Sequence, residues 1–185
     1  SALIKRENVR ICVPRYMQIG KGSLNQLPEI ISIIGSIKSL LIVTDKQMVK
    51  FGYVKKLQEL LTKEGFKSNV FDETIPDPTD TVVLNGIKIL NKNKNDAVIG
   101  FGGGSPIDTA KAIAVLSQHS KNIQDYKPPG TFNKKSLPII AIPTTAGTGS
   151  EVTHHSVIID TKSNNHEKIS CRGEAFVPLV SIVDY

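Results

Sequence analysis

Short apolar runs alternate with stretches of helical periodicity along most of the 185-residue chain. Residues 39–45 (SLLIVTD), 96–101 (DAVIGF), 137–142 (LPIIAI) and 180–183 (VSIV) are brief and nearly continuous in apolar character, the pattern of strands covered on both faces. Residues 69–71 (NVF) form a further strand candidate. Between these runs Leu24, Leu27, Ile30, Ile31 and Ile34 recur at helical spacing, as do Val54, Leu57, Leu60 and Leu61. Ser23 stands where an N-cap belongs and Gly35 where that helix closes. Residues 80–90 predict a capped helix, and a glycine run after residue 101 opens another that continues through Leu116.

Strand and helix in steady alternation imply parallel pairing, right-handed crossovers and helices on both faces of the sheet. The expected fold is therefore α/β and Rossmann-like, with a mostly parallel sheet. Two segments depart from the alternation. Residues 9–19 alternate weakly around Pro14 and stop at Gly20-Lys21-Gly22, which predicts an N-terminal antiparallel β-hairpin at a sheet edge, where proline is tolerated. Residues 157–160 and 168–171 flank Ser163-Asn164-Asn165-His166, which reads as a hairpin turn. No repeat or linker interrupts the pattern, so residues 1–185 read as one domain.

Composition changes this picture little. With 39% hydrophobic and 5% aromatic residues and no Trp, the core is built from Ile, Leu and Val. The net charge of +6 invites a nucleic-acid partner. The lysines are nevertheless scattered over polar helix positions, and no aromatic residues interleave with them as a stacking platform. Cys12 and Cys171 form no C-x-x-C pattern, so neither a disulfide framework nor a zinc knuckle is expected. No apolar run is long enough for a membrane span, and no signal-peptide core stands at the N-terminus. A cytoplasmic chain is expected, with neither nucleic acid nor membrane as a partner.

The chemistry is concentrated in two loops. Gly102-Gly103-Gly104-Ser105-Pro106-Ile107-Asp108 follows a buried strand and opens a helix. Such a turn lets the backbone approach a ligand closely, and the helix start offers unpaired N–H groups and a positive dipole end to a pyrophosphate. Ser105 is expected as its N-cap, Pro106 as the first helical residue and Asp108 as the capping-box acid. The run is neither G-x-G-x-x-G nor a P-loop, and a tight turn without ligand is its alternative reading. Pro143-Thr144-Thr145-Ala146-Gly147-Thr148-Gly149-Ser150-Glu151 follows another buried strand. Two such loops at strand ends face each other across the crevice where open α/β sheets bind ligands. Asp45, ending the 39–45 strand, either accepts hydrogen bonds from a ribose and repels a 2′-phosphate, or simply caps the next helix. His154 and His155 are adjacent, so on a strand they point to opposite faces and do not grip one metal ion.

Residues 101–112 (FGGGSPIDTAKA) and 142–153 (IPTTAGTGSEVT) resemble the iron-containing (group III) alcohol dehydrogenase family. Gly20-Lys21-Gly22-Ser23, Val43-Thr44-Asp45, Pro76-Asp77-Pro78-Thr79 and Val157-Ile158-Ile159-Asp160 extend the resemblance, in the family's order, over practically the whole chain. It implies that Gly103, Gly104 and Ser105 hold the pyrophosphate of NAD. Thr144, Thr145 and Thr148 would line the adenine and nicotinamide-ribose side, with Thr153 and Val157 near the nicotinamide. Lys168 would reach a cofactor ribose, and Asp45 would contact the adenosine ribose, which selects NAD over NADP. His155 would look toward the substrate cleft.

The implied chemistry is hydride transfer between a small alcohol or aldehyde and the cofactor, with iron or another divalent metal polarising the substrate oxygen. The family's metal ligands belong to a helical C-terminal domain that would follow Tyr185, so no metal or catalytic residue is expected here. The chain alone is expected to bind dinucleotide without catalysis, and a homodimer is a further expectation. A dinucleotide-binding sensor or interaction module without catalysis is the competing reading.

Overall fold

The computed structural model describes residues 11–185. Its strands and helices follow in the order β1 (Tyr16–Ile19), α1 (Leu27–Ile34), β2 (Ser39–Val43), α2 (Lys46–Lys50), α3 (Tyr53–Lys63), β3 (Lys67–Phe71), α4 (Asp80–Asn93), β4 (Ala97–Gly102), α5 (Gly104–Leu116), β5 (Ile139–Pro143), β6 (His155–Ile159), β7 (Lys168–Arg172) and β8 (Val180–Val183). Six strands form one sheet in the order β1-β8-β5-β4-β2-β3. Every pair within it is parallel. The strands β6 and β7 form a separate antiparallel hairpin, with His166 in the left-handed region at its turn.

The continuous apolar runs are explained by burial on both faces. Along β2, Leu40 and Ile42 pack with Leu27, Ile31, Leu57 and Leu61 of α1 and α3, whereas Leu41 and Val43 pack with Val83, Ile87 and Ile113 of α4 and α5. Alternate side chains thus serve two cores, and no polar face remains to produce a period-two signal. The hairpin joins the second core through Ile158, Ile169 and Cys171, all nearly inaccessible to solvent. It therefore lies against α5 rather than extending the main sheet.

The N-terminal segment corrects the expected hairpin. Residues 9 and 10 lie outside the described residues, and residues 11–14 are not in a strand. Tyr16–Ile19 is an edge strand, as expected, but it pairs parallel with Val180–Val183 rather than antiparallel with a sequence neighbour. Weak alternation marks an edge strand without revealing its partner or direction. Ser23 is not the cap of α1 either. It begins a single 3-10 turn, its hydroxyl donating to the Gly20 carbonyl at 2.6 Å. The Asp184 carboxylate, just past β8, accepts from Gly22 N at 2.8 Å and Leu24 N at 3.0 Å and so caps that turn from the far end of the chain. The helix α1 starts later, where Pro28 falls in its first turn and needs no N–H partner.

Candidate functional site

The strand ends on one side of the sheet converge on a cavity of about 900 Å³. Backbone bonds hold these ends level: Thr144 N donates to the Gly102 carbonyl at 2.8 Å, and the Thr44 hydroxyl to the Phe101 carbonyl at 2.8 Å. The chain leaves β4 through Gly102 at φ +144°, a region that side chains disfavour, and a Cβ there would lie 2.9 Å from Pro106 Cγ. The helix α5 then begins at once with Gly104.

The start of α5 corrects the expected capping. Gly103 is the N-cap in extended conformation, with no side-chain cap bond. Pro106 is therefore the third helical residue rather than the first. Asp108 turns away from the helix start, accepting from Val157 N at 3.1 Å through Oδ2. Because the cap position falls on a glycine, no side chain is available there to cap the helix. The first N–H groups of a helix have no intrahelical partner, and here no cap side chain covers them. A Cβ on Gly104 would sit 3.4 Å from Ser150 Oγ and 3.5 Å from Thr148 Cβ, and one on Gly103 would sit 3.3 Å from Thr145 Oγ1. The glycine and threonine loops thus meet closely around the helix start.

Of the ten residues anticipated for the cofactor, Asp45, Gly103, Gly104, Ser105, Thr144 and Thr145 line the cavity. Thr148 adjoins Gly104 as described. Asp45 fills the alternative role, since its Oδ1 accepts from Met48 N at 2.9 Å and caps α2. Thr153, Val157 and Lys168 do not line the cavity. Thr153 meets α5 through Lys111, and Val157 is exposed on β6. Lys168 pairs with Asp77 at 2.7 Å, next to the cavity-lining Pro76.

Several lining residues escape sequence reasoning. Asp72, Glu73, Thr74, Ile75 and Pro76 form the wall beyond β3. They sit in a loop without a glycine motif, and apart from Pro76, which belongs to the Pro76-Asp77-Pro78-Thr79 run, only their position after a strand could have flagged them. Lys111 escapes for another reason. Although a lysine, it is completely buried within α5, and its ammonium donates to the carbonyls of Thr153 and His155, each at 2.8 Å. Burial pulls its pKa down to about 8, while the charges of Asp108 and Glu151 oppose that shift. Burial likewise raises the Asp108 pKa, against the Val157 N–H bond and the Lys111 charge.

The histidine pair also departs from expectation. His154 precedes β6 rather than lying in it, so strand alternation does not separate the two side chains, and the rings meet at a tilt of 38° with centroids 4.2 Å apart. Burial and the neighbouring His154 lower the His155 pKa. Among the described residues no group of three or more His, Cys, Asp or Glu could hold a metal ion. The donor set needed for iron is therefore not met by these residues.

Known proteins give this architecture a context. Residues 14–185 match the family described as iron-containing alcohol dehydrogenase. The long-chain-alcohol dehydrogenase 1 of Geobacillus thermodenitrificans is 40% identical over 152 residues, covering 80% of this chain and 38% of that protein. The crystal structure of a 1,3-propanediol oxidoreductase superposes with a TM-score of 0.90 at 33% identity, over 96% of this chain and 46% of that one. The sulfoacetaldehyde reductase of Bifidobacterium kashiwanohense, solved in complex with NAD+, superposes with a TM-score of 0.84 at 35% identity, again over 96% of this chain and 46% of that one. The chain spans less than half the length of each. It belongs to the iron-containing alcohol dehydrogenase family.

Proposed function

We propose that this chain is a dinucleotide-binding domain that prefers NAD and supplies the cofactor-binding wall of an alcohol dehydrogenase active site. The observation that carries this reading is the uncapped start of α5, set between two glycine-containing loops at the mouth of a 900 Å³ cavity. Gly103, Gly104 and Ser105 offer a pyrophosphate their backbone N–H groups and the positive end of the α5 dipole. Asp45, on the neighbouring strand end, accepts from the adenosine ribose hydroxyls and repels a 2′-phosphate. A relative of the same fold, at a TM-score of 0.84, was solved in complex with NAD+, which supports a dinucleotide as the ligand class. In the complete enzyme the reaction is hydride transfer between a small alcohol or aldehyde and NAD, at a divalent metal held outside these residues. The described residues bind cofactor and do not assemble a metal site, so the chain alone is inactive.

Titration of the chain with NADH, followed by nicotinamide fluorescence, tests the reading. Saturable binding is expected, and Gly104→Asp should abolish it by placing a carboxylate where the pyrophosphate would lie. No binding at millimolar NADH would sink the assignment. Elemental analysis of the purified chain should find no stoichiometric iron or zinc.

A further inference from the structure

Lys111 has no part in the cavity wall, yet among the described residues it is a long charged side chain with no exposed surface at all. An ammonium taken out of water is costly, and an apolar side chain of similar volume is usually tolerated as well or better at such a place. Ala110, Ala112 and Ile113 around it are all inaccessible to solvent, so a Met or Leu would suit the local composition. Something other than core packing accounts for the charge.

Its hydrogen bonds supply the reason. Besides the two carbonyl bonds, Nζ lies 3.4 Å from Thr153 Oγ1, so all three ammonium donors have acceptors. The segment it holds runs from the end of the threonine loop into β6, where main-sheet pairing is absent. Two buried carboxylate oxygens without hydrogen-bond partners, Asp108 Oδ1 and Glu151 Oε2, belong to the acids that offset its charge. The Asp108 backbone carbonyl accepts from Ser156 Oγ at 2.8 Å, and its carboxylate from Val157 N at 3.1 Å. Polar contacts from the first two turns of α5 thus fasten residues 153–157 to the helix that carries the glycine loop.

The sheet order gives this fastening a direction. From the glycine loop on β4, Asp45 lies on the β2 side and the threonine loop on the β5 side. A dinucleotide with its pyrophosphate at Gly103 and Gly104 and its adenosine over Asp45 must extend its second half toward the β5 side. The segment after the threonine loop continues from that side, with Thr153 Cγ2 3.7 Å from where a Cβ on Gly149 would lie. We infer that Lys111 is a positioning residue, which does not touch the cofactor but holds Thr153 and His155 in register with the glycine loop, and so fixes the platform on which the nicotinamide riboside half rests. This rests on the dinucleotide-binding reading above.

The test compares two ligands on the chain and on its Lys111→Met and Lys111→Gln variants. ADP ends at the pyrophosphate, whereas NADH extends across the segment that Lys111 holds. A positioning role predicts ADP affinity within about twofold of the parent in both variants. It predicts NADH affinity at least about tenfold weaker in Lys111→Met, the scale of losing hydrogen bonds to a charged group. Lys111→Gln, which keeps a donor, should fall between. A purely structural role would weaken both ligands together, so parallel loss of ADP and NADH in both variants overturns the inference. Unchanged NADH binding in both variants overturns it equally. A parent chain that binds neither ligand refutes the dinucleotide reading itself.

Discussion

Asp45 performs two tasks at one position, and substitution can separate them. Its Oδ1 caps α2 through Met48 N, and its side chain lines the cavity at the end of β2. Glycine is tolerated at N-cap positions at a cost of only a few tenths of a kcal/mol, so Asp45→Gly removes the charge with little damage to the helix. Asp72 and Glu73 line the same wall and remain after the substitution. The expected outcome is a shift in the NADPH-to-NADH affinity ratio on the order of tenfold toward NADPH, a coulombic effect of roughly 1 kcal/mol at a few ångströms in water. The preference should not invert, because two carboxylates still oppose the 2′-phosphate. An unchanged ratio would remove Asp45 from the ribose site. At the same scale, sequence reasoning found Asp45 and the glycines because their chemistry is stated by residue type and by position after a strand. It overlooked Lys111 because periodicity assigns lysine to solvent, whereas the fold encloses its ammonium.

Among elements, one buried acid is a principal polar tie between α4 and the β6–β7 hairpin. Thr79 caps α4 by accepting from Val82 N, and Asp80 follows in the first turn, only 4% exposed. Asp80 Oδ1 accepts from Thr161 N at 3.2 Å, Thr161 Oγ1 at 2.8 Å and Thr81 N at 2.8 Å. It therefore fastens the residue just past β6 to the helix while favouring the positive end of the α4 dipole. Asp80→Ala strands the Thr161 donors and should lower stability by about 2–3 kcal/mol in denaturant titration. Asp80→Asn keeps the acceptor and should cost less than half as much. Equal losses in the two variants would show that the charge matters and the acceptor does not. The elements themselves were readable where local pattern decides them, as in β2, β4 and α4. The direction of β1 was not, since its partner lies some 160 residues away in β8 and alternation says nothing about polarity. The start of α5 was displaced because Ser105-Pro106 satisfies a capping rule that the direct strand-to-helix passage through Gly103 overrides.

For the molecule as a whole, three groups in the second core or its rim oppose one another at alkaline pH. Burial pushes the Cys171 thiol from 9.0 up to about 12 and the Tyr126 phenol from 10.0 up to about 12. Both pKa values are raised on folding, so their stabilisation is complete below pH 9 and is lost as the pH climbs toward 12. Lys111 runs the other way. Its pKa falls from 10.5 unfolded to about 8 folded, so the unfolded chain binds the extra proton between those values and stability rises with pH there. From these three groups, stability should rise between pH 8 and 9, stay nearly level to about pH 10 while Lys111 and Cys171 cancel, and begin to fall there as Tyr126 joins. Beyond that it should fall steeply, with each titrating group changing the folding constant by up to about tenfold per pH unit. Denaturant titrations across pH 7–12 would trace the profile. Lys111→Met should erase the initial rise and leave the later fall, whereas Cys171→Ala should shallow the fall and expose the rise above pH 9. A Lys111→Met profile that still climbs between pH 8 and 9 would mean that the ammonium is not desolvated in solution. The enclosed charge that holds residues 153–157 against the glycine-loop helix would then be open to water, and its hold on the cofactor platform correspondingly weak.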